Sequence, residues 1–416
     1  MKDLVKKTTA DKRFWAVLYI LMALLGIVSV YEGIANGMVW SQDFQYDAAA
    51  ALAGGYDPYD ISMGKSEIPD IPNLQGFYDY YEGLGTPQKM EANQFPSLLY
   101  ILTGYTLIPY NAARILWLIT NLLCTAVIIW LLRKTFMASV DEKLYPVFML
   151  LMLAGTPWRN QLGVGQHTLF AVAFFLGAVY VSETGENPGT GALAAGEGEA
   201  SGKRSPVRTV ASGLLLSLSY LKYTVTAPMA LYFIYKRRWR EFVISLVPHA
   251  ILTGAAAATL GESYISMLTK PLKVASALAA EGSIDIGVLT HGSGAGLAVT
   301  VCVMGFIFAV ALLLPPGNDE LFISLAVILC LVMTYHRTYD FFIMIIVFGY
   351  FATGRMKAAE IIYLITTLAF FFVLRVFHEN AISLTVSGAM YYACAISFIV
   401  IVLDKIKQGL KGSRNG

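Results

Sequence analysis

Apolar residues occur along this chain in long runs with short polar punctuation between them, and that pattern predicts helices in a membrane. The first run extends from Phe14 to about Gly37 behind a basic start, MKDLVKKTTADKR. It is too long for a signal peptide and lacks a convincing cleavage site, so it is expected to remain as an uncleaved first span. A polar stretch, Met38 to about Pro96, follows with nine acidic residues and two basic ones, Lys65 and Lys89. Then come Ser97 to Pro109 and a longer run from Ala112 to Leu132, closed by Arg133 and Lys134. Further spans are predicted at Leu144–Thr156, His167–Val181, Val210–Tyr220, Thr224–Tyr235, Phe242–Leu260, Leu297–Leu314, Leu321–Tyr335, Phe341–Thr353, Ala358–Phe377 and Leu384–Leu403. Several fall short of the ~20 residues that a perpendicular helix needs.

Lys and Arg near helix ends stay cytoplasmic, and this orients the pattern. With the N-terminus inside and Ser97–Pro109 as an interfacial or re-entrant piece, most basic residues fall on one side. These include Arg133, Lys134 and Lys143, the Lys236–Arg240 cluster and the C-terminal lysines. The expected fold is then an all-α polytopic membrane protein with about twelve transmembrane helices, N-in and C-in, forming one domain over residues 1–416. Residues 38–96 form a large first outer loop with short interfacial helices. Residues 182–207, rich in Gly, Ala and Glu, read as a flexible cytoplasmic loop.

Composition agrees: 56% hydrophobic residues, 14% charged residues and a mean hydropathy of +0.60 lie far from the soluble norm of roughly 25% charged. A net charge of +2, with basic residues scattered between apolar runs, gives no sign of nucleic-acid binding. Cys124, Cys302, Cys330 and Cys394 all sit in apolar runs without metal-ligand spacing and read as packing residues. No pair of histidines has the spacing of a helix-borne zinc site. The chain is read as needing no cofactor, with a divalent metal admitted but not favoured.

The candidate chemistry gathers at Ser41–Asp60, SQDFQYDAAAALAGGYDPYD. Ser41 is expected to cap a helix running to Ala53, with Asp43 and Asp47 one turn apart on one face. Asp57-Pro58-Tyr59 reads mainly as a turn. The assumed topology places further polar groups on the same outer side. They are Arg159 after Trp158, Gln166 and His167, Lys222 at a helix break, His291, the string His336-Arg337-Thr338-Tyr339-Asp340, and His378-Glu379. Ionisable groups at membrane depth are costly unless they meet water, a partner or a substrate, so an outer polar cavity is expected. Plainer readings stand beside this one. Lys222 could snorkel to headgroups, Arg159 could anchor an interface, and His336, Arg337 and Asp340 could close an outer turn by an internal ion pair. His249, inside a span, reads as structural.

In their order, these residues resemble the polyprenol-phosphate-sugar-dependent glycosyltransferases of family 87, of the C-class membrane fold. The resemblance rests on Asp43-Phe44, Tyr46 and Ala48–Leu52 after the first span, and on Gly55-Tyr56-Asp57-Pro58-Tyr59. It continues through Phe95–Leu99, Arg114–Asn121, Gly165-Gln166, Gly213–Lys222, Pro228 and Lys236–Trp239, over roughly the first 240 residues. It implies a C-class helical bundle and a polyprenyl-phosphate-linked sugar donor, mannose or another hexose or pentose. It also implies a lipid or glycan acceptor, and Asp43 as catalytic base at the outer face of a prokaryotic plasma membrane. Lys222, Arg337, His336 and Arg159 would then meet the donor phosphate. Tyr46, Asp47, Asp57, Tyr59, Gln166, His167, His291 and Asp340 would bind substrate. A flippase or transporter of lipid-linked sugars, and a ligase or polymerase taking diphosphate-linked glycans, are the competing readings.

Overall fold

The computed structural model describes residues 12–86, 89–184, 205–277, 294–333, 336–353, 358–368 and 381–412. His291, Tyr335, His378 and most of the 182–207 loop lie outside these residues. The described residues are helical, with no strand.

Helix α1, Lys12–Gly37, is apolar on every side, and its buried positions are Gly26, Ser29, Gly33 and Gly37. Spacings of three and four put these small residues on one face, which lets neighbouring backbones approach closely. A Cβ at Gly33 would stand 3.1 Å from Leu162 and one at Gly37 2.9 Å from Leu118. Ser29 Oγ donates to the Ala154 carbonyl at 2.9 Å. The rest of α1, including Val17, Ile20, Leu24 and Ile27, stays exposed, as a lipid-facing surface would.

After α1 the chain makes a 3-10 turn, Gln42–Phe44, and the short helices α2 (Tyr46–Ala53), α3 (Pro58–Ser62), α4 (Pro72–Gly83) and α5 (Pro96–Leu102). The helices α6 (Tyr110–Lys134), α7 (Leu144–Ala154), α8 (Thr156–Val164) and α9 (Thr168–Glu183) follow. Then come α10 (Pro206–Ser219), α11 (Tyr223–Tyr235), α12 (Trp239–Leu260) and α13 (Tyr264–Ala277). The last elements are α14 (Gly294–Leu313), α15 (Asp319–Met333), a 3-10 run Thr338–Val347, α16 (Phe348–Thr353), α17 (Ala358–Leu368) and α18 (Ala381–Gly412). Helix α15 is the centre: every residue but Glu320 is buried, and it packs against α11, α14, α18 and the Thr338–Val347 run.

About twelve crossings were expected, and the structure corrects this. Among the described residues, five helices are long and apolar enough to cross a membrane: Lys12–Gly37, Tyr110–Lys134, Trp239–Leu260, Gly296–Leu313 and Gly388–Lys411. The number becomes six if α8 and α9, bent by 108° at their junction, count as one broken span. The reason is length. Helices α7, α10, α11 and α15 have 11, 14, 13 and 15 residues, which at ~1.5 Å per residue cannot cover the ~30 Å of a hydrocarbon core. In α15 apolarity reflects burial inside the protein, and only part of the apolar sequence signal belongs to lipid-crossing segments.

Candidate functional site

The segment after α1 is not the continuous helix that the sequence suggests. Ser41 and Gln45 both adopt left-handed backbone, at φ 36° and 60°, a conformation that costs a side chain and occurs mostly at functional or strained positions. Ser41 does not cap the turn; its Oγ donates to Gly37 O at 2.8 Å. Gln45 separates the 3-10 turn from α2, so Asp43 and Asp47 do not share a face. Asp43 lines a cavity of about 610 Å³, whereas Asp47 is buried among the short helices that follow α1. Phe44 anchors the turn by stacking on Trp117 at 4.7 Å between ring centroids.

Gln166 comes to Asp43 from the α8–α9 junction. Gly165 has φ 72°, and a Cβ there would lie 3.0 Å from Ser41 Cα, so the corner needs glycine on both counts. Trp117 Nε1 donates to the Gly165 carbonyl at 2.7 Å and fixes the corner. Gln166 Nε2 donates to Asp43 Oδ2 at 2.8 Å and to the Tyr339 hydroxyl at 3.0 Å. Its Oε1 accepts from Lys222 Nζ at 3.1 Å.

Lys222 ends a 3-10 turn, Tyr220–Lys222, between α10 and α11. Thr226 Oγ1 closes this break by donating to Ser219 O at 2.7 Å and Lys222 O at 3.1 Å. The ammonium pairs with Asp340 Oδ2 at 3.5 Å and stands 5.5 Å from the Tyr339 ring centre. Asp340, only 1% exposed, also accepts from Thr168 Oγ1 at 2.6 Å. His336 Nδ1 lies 3.0 Å from Asp340 Oδ2, and its Nε2 lies 3.0 Å from Cys330 O. His336 is therefore buried behind Asp340 and is not among the residues that line the cavity.

The cavity is lined by Asp43, Gln166, His167, Lys222, Arg337 and Tyr339, and also by Gln45, Glu91, Asn93 and Gln94. Burial pushes the Asp43 carboxyl above the usual carboxylate range, and the Gln166 donation, Lys222 and Arg337 pull it partly back. Glu91 is likewise raised by burial and by Asp43. The sequence reading missed Glu91, Asn93 and Gln94, because a short polar stretch before Pro96 carries no spacing that marks it. The floor is apolar: Ala227, Pro228, Leu272, Leu297 and Met304. A second hollow of about 450 Å³ shares Tyr223, Ala227 and Met304 with the cavity and adds Leu98, Leu231, Phe242, Leu246 and Leu268. His249 reaches it and bonds to Ser97 Oγ at 2.9 Å and Ser217 Oγ at 3.0 Å.

Other candidates are placed elsewhere. Arg159 pairs with Glu32 of α1 at 2.6 Å and does not line the cavity. Tyr46 donates to Ile108 O, and Tyr59 to Gln94 O, both at 2.7 Å; they tie the segment after α1 together. Asp57 caps α3 by accepting from Tyr59 N at 2.9 Å. The carboxylates of Asp57, Asp60 and Glu262 lie within 4.8 Å of one another, as metal ligands would. Lys270 Nζ sits among them at 2.5, 2.9 and 2.9 Å. Burial alone would lower Lys270 and raise Asp60. Their hydrogen bonds outweigh it, so Lys270 is held above its ordinary value and Asp60 below.

Fold and site together define a helical membrane protein with a carboxylate and cations facing one polar cavity beside an apolar hollow. The sequence profile of glycosyltransferase family 87 matches residues 96–334, more than half of the chain, and the chain belongs to that family. No curated protein and no solved structure matches it. Gln166 and Lys222 lie within the matched residues, Asp43 before them and Arg337 and Asp340 just after; the match assigns no residue a role, so the case for all five rests on geometry.

Proposed function

We propose that this glycosyltransferase moves a sugar from a polyprenyl-phosphate donor to a hydroxyl of a lipid- or glycan-linked acceptor, with inversion, using Asp43 as general base. The observation that carries the reading is the placement of Asp43 and Lys222 on one cavity, joined through Gln166, with an apolar hollow opening beside it. The cavity matches a sugar and its phosphate, and the hollow lined by Leu98, Leu231, Phe242 and Leu246 matches the first isoprene units of the donor tail. In the reaction the acceptor O–H gives its proton to Asp43, and its oxygen bonds to the anomeric carbon. The bond from that carbon to the phosphate oxygen breaks, leaving polyprenyl phosphate. Lys222 and Arg337 hold the negative charge that stays on the phosphate, with Asp340 and His336 fixing Lys222 in place. Electrostatic stabilisation of this kind is among the larger catalytic contributions. A carboxylate raised by burial is also a stronger base, which suits proton abstraction near neutral pH. Glu91, Asn93 and Gln94 face the sugar hydroxyls.

The site is proposed to face the periplasmic or extracellular side of the plasma membrane. Basic residues crowd the N-terminal end of α1 and the Arg133-Lys134 end of α6, and Asp43 follows the opposite end of α1, as the positive-inside rule requires of an outer segment.

Thermal stabilisation of the protein in nanodiscs by a panel of lipid-linked sugars tests this. A ligand at ~100 times its Kd adds ~2.7 kcal/mol to the native state. Selective stabilisation by one polyprenyl-phosphate sugar, lost in Lys222→Ala, is the expected result. Preference for a diphosphate-linked glycan would move the assignment to a ligase or flippase.

A further inference from the structure

The side-chain amide of Gln166 lies between two groups of fixed and opposite hydrogen-bonding character. A carboxylate only accepts and an ammonium only donates, so Nε2 must face Asp43 and Oε1 must face Lys222. Both Nε2 hydrogens are used, one on Asp43 Oδ2 at 2.8 Å and one on Tyr339 at 3.0 Å. Gln166 is only 9% exposed, and the Gly165 corner holds its backbone against Ser41. The amide therefore has no second orientation that satisfies both neighbours. Asp43 Oδ2 is taken by this bond, while Oδ1 accepts no hydrogen bond from the described residues. One oxygen is thereby set aside for the acceptor proton. Lys222 spends one N–H on Gln166 and points another at Asp340, so a third is available to a phosphate.

We propose that Gln166 is the positioning residue of the site: its amide ties the Asp43 carboxylate to the Lys222 ammonium, so that the base and the phosphate cation are held in one geometry and respond to each other. The inference rests on the proposed transfer reaction for its consequence, but the coupling itself is a property of the protein without substrate. When a donor phosphate draws on Lys222, the bond at Oε1 weakens, and the grip of Nε2 on Asp43 changes with it. The charged and titratable groups facing Asp43 are Lys222, Arg337, Asp340, Glu91 and Tyr81. The Gln166 donation is the largest of the contributions that favour the charged carboxylate there.

A substrate-free experiment tests the coupling. Dicyclohexylcarbodiimide attaches to protonated carboxyls in apolar surroundings, and its attachment to Asp43 in the full chain in nanodiscs can be followed by mass spectrometry against pH. Gln166→Ala and the milder Gln166→Asn, too short to reach both partners, should each raise the midpoint at Asp43 by about one pH unit, since a hydrogen bond to a charged group is lost. Lys222→Met should raise it too, and the double variant should fall short of the sum, because both act through one amide. An unchanged midpoint in both Gln166 variants, or full additivity with Lys222→Met, would overturn the proposal. Labelling of Asp47, which does not touch Gln166, reports that the variants are folded. With the donor found by the panel, kcat should fall at least about tenfold in Gln166→Asn while KM moves less, the pattern expected when an interaction formed mainly in the transition state is lost. If the wild-type protein transfers no sugar but the midpoints shift as stated, the transfer reading fails and the coupling stands.

Discussion

Gln45 stands between two carboxylates that an unbroken helix would have placed side by side. Its left-handed backbone turns Asp43 to the cavity and leaves Asp47 in the packing, and the two carboxyls therefore have different consequences. Burial pushes Asp47 up to about 7. A carboxyl whose pKa is higher folded than unfolded binds its proton more tightly in the fold, so stability falls as pH rises from the ordinary carboxylate range through about 7. Asp47→Asn should abolish that fall, raising Tm at pH 8 more than at pH 5; an equal effect at both would mean that Asp47 is not buried as a charge. Lys270 gives the opposite case. Lys270→Met leaves three carboxylates facing one another and should cost about 1–3 kcal/mol, less than a fully buried pair because the carboxylates keep some water, read as a lower denaturation midpoint. The contribution of the clasp should be present at neutral pH and vanish as pH falls below the lowered carboxylate range of Asp60 and Glu262. Gln166, Lys222 and Asp340 drew notice in the sequence because a polar residue among apolar runs needs a reason, and Asp43 because it opens the acidic stretch that follows the first run. Arg159 drew notice on the same ground, and the structure pairs it with Glu32, a partner 127 positions away that spacing cannot reveal.

At the scale of elements, the site is made of helix breaks. Gly165 ends α8, Lys222 stands where α10 gives way to α11, and Pro228 interrupts the backbone bonding of α11. The first two breaks bring Gln166 and Lys222 to the cavity, and both could be seen in the sequence as an interrupted apolar run. What could not be seen is the angle, because a bend of 108° between α8 and α9 depends on Ser41 and Trp117 packing on the corner. Gly165→Ala must adopt a positive φ and push on Ser41, a strain of ~1–3 kcal/mol. It should lower Tm and reduce transfer more than it reduces donor binding, since it moves Gln166 away from Asp43. A variant with full transfer at normal Tm would show that the corner is not needed.

For the whole molecule, helix class and membrane character followed from apolar periodicity, but the number of crossings did not. A run of apolar residues looks alike whether it meets lipid or the centre of a bundle, and α15 is the clearest example of the second. The cavity and the apolar hollow share Tyr223, Ala227 and Met304, which places Ala227 at their junction. Ala227→Trp should close that junction. Stabilisation by a long-chain polyprenyl-phosphate sugar should then fall more than that by a short-chain analogue, whereas equal loss would place the tail elsewhere.

The central claim is that Asp43 takes the acceptor proton, and Asp43→Asn tests it most directly. With the donor identified by stabilisation, transfer by the wild type and the variant would be measured beside donor-induced stabilisation of each. General base catalysis is worth ~10²- to 10⁴-fold, so transfer should fall at least about a hundredfold while stabilisation by donor is kept. Transfer that survives in Asp43→Asn, or loss of donor binding in proportion to the loss of transfer, would contradict the assignment.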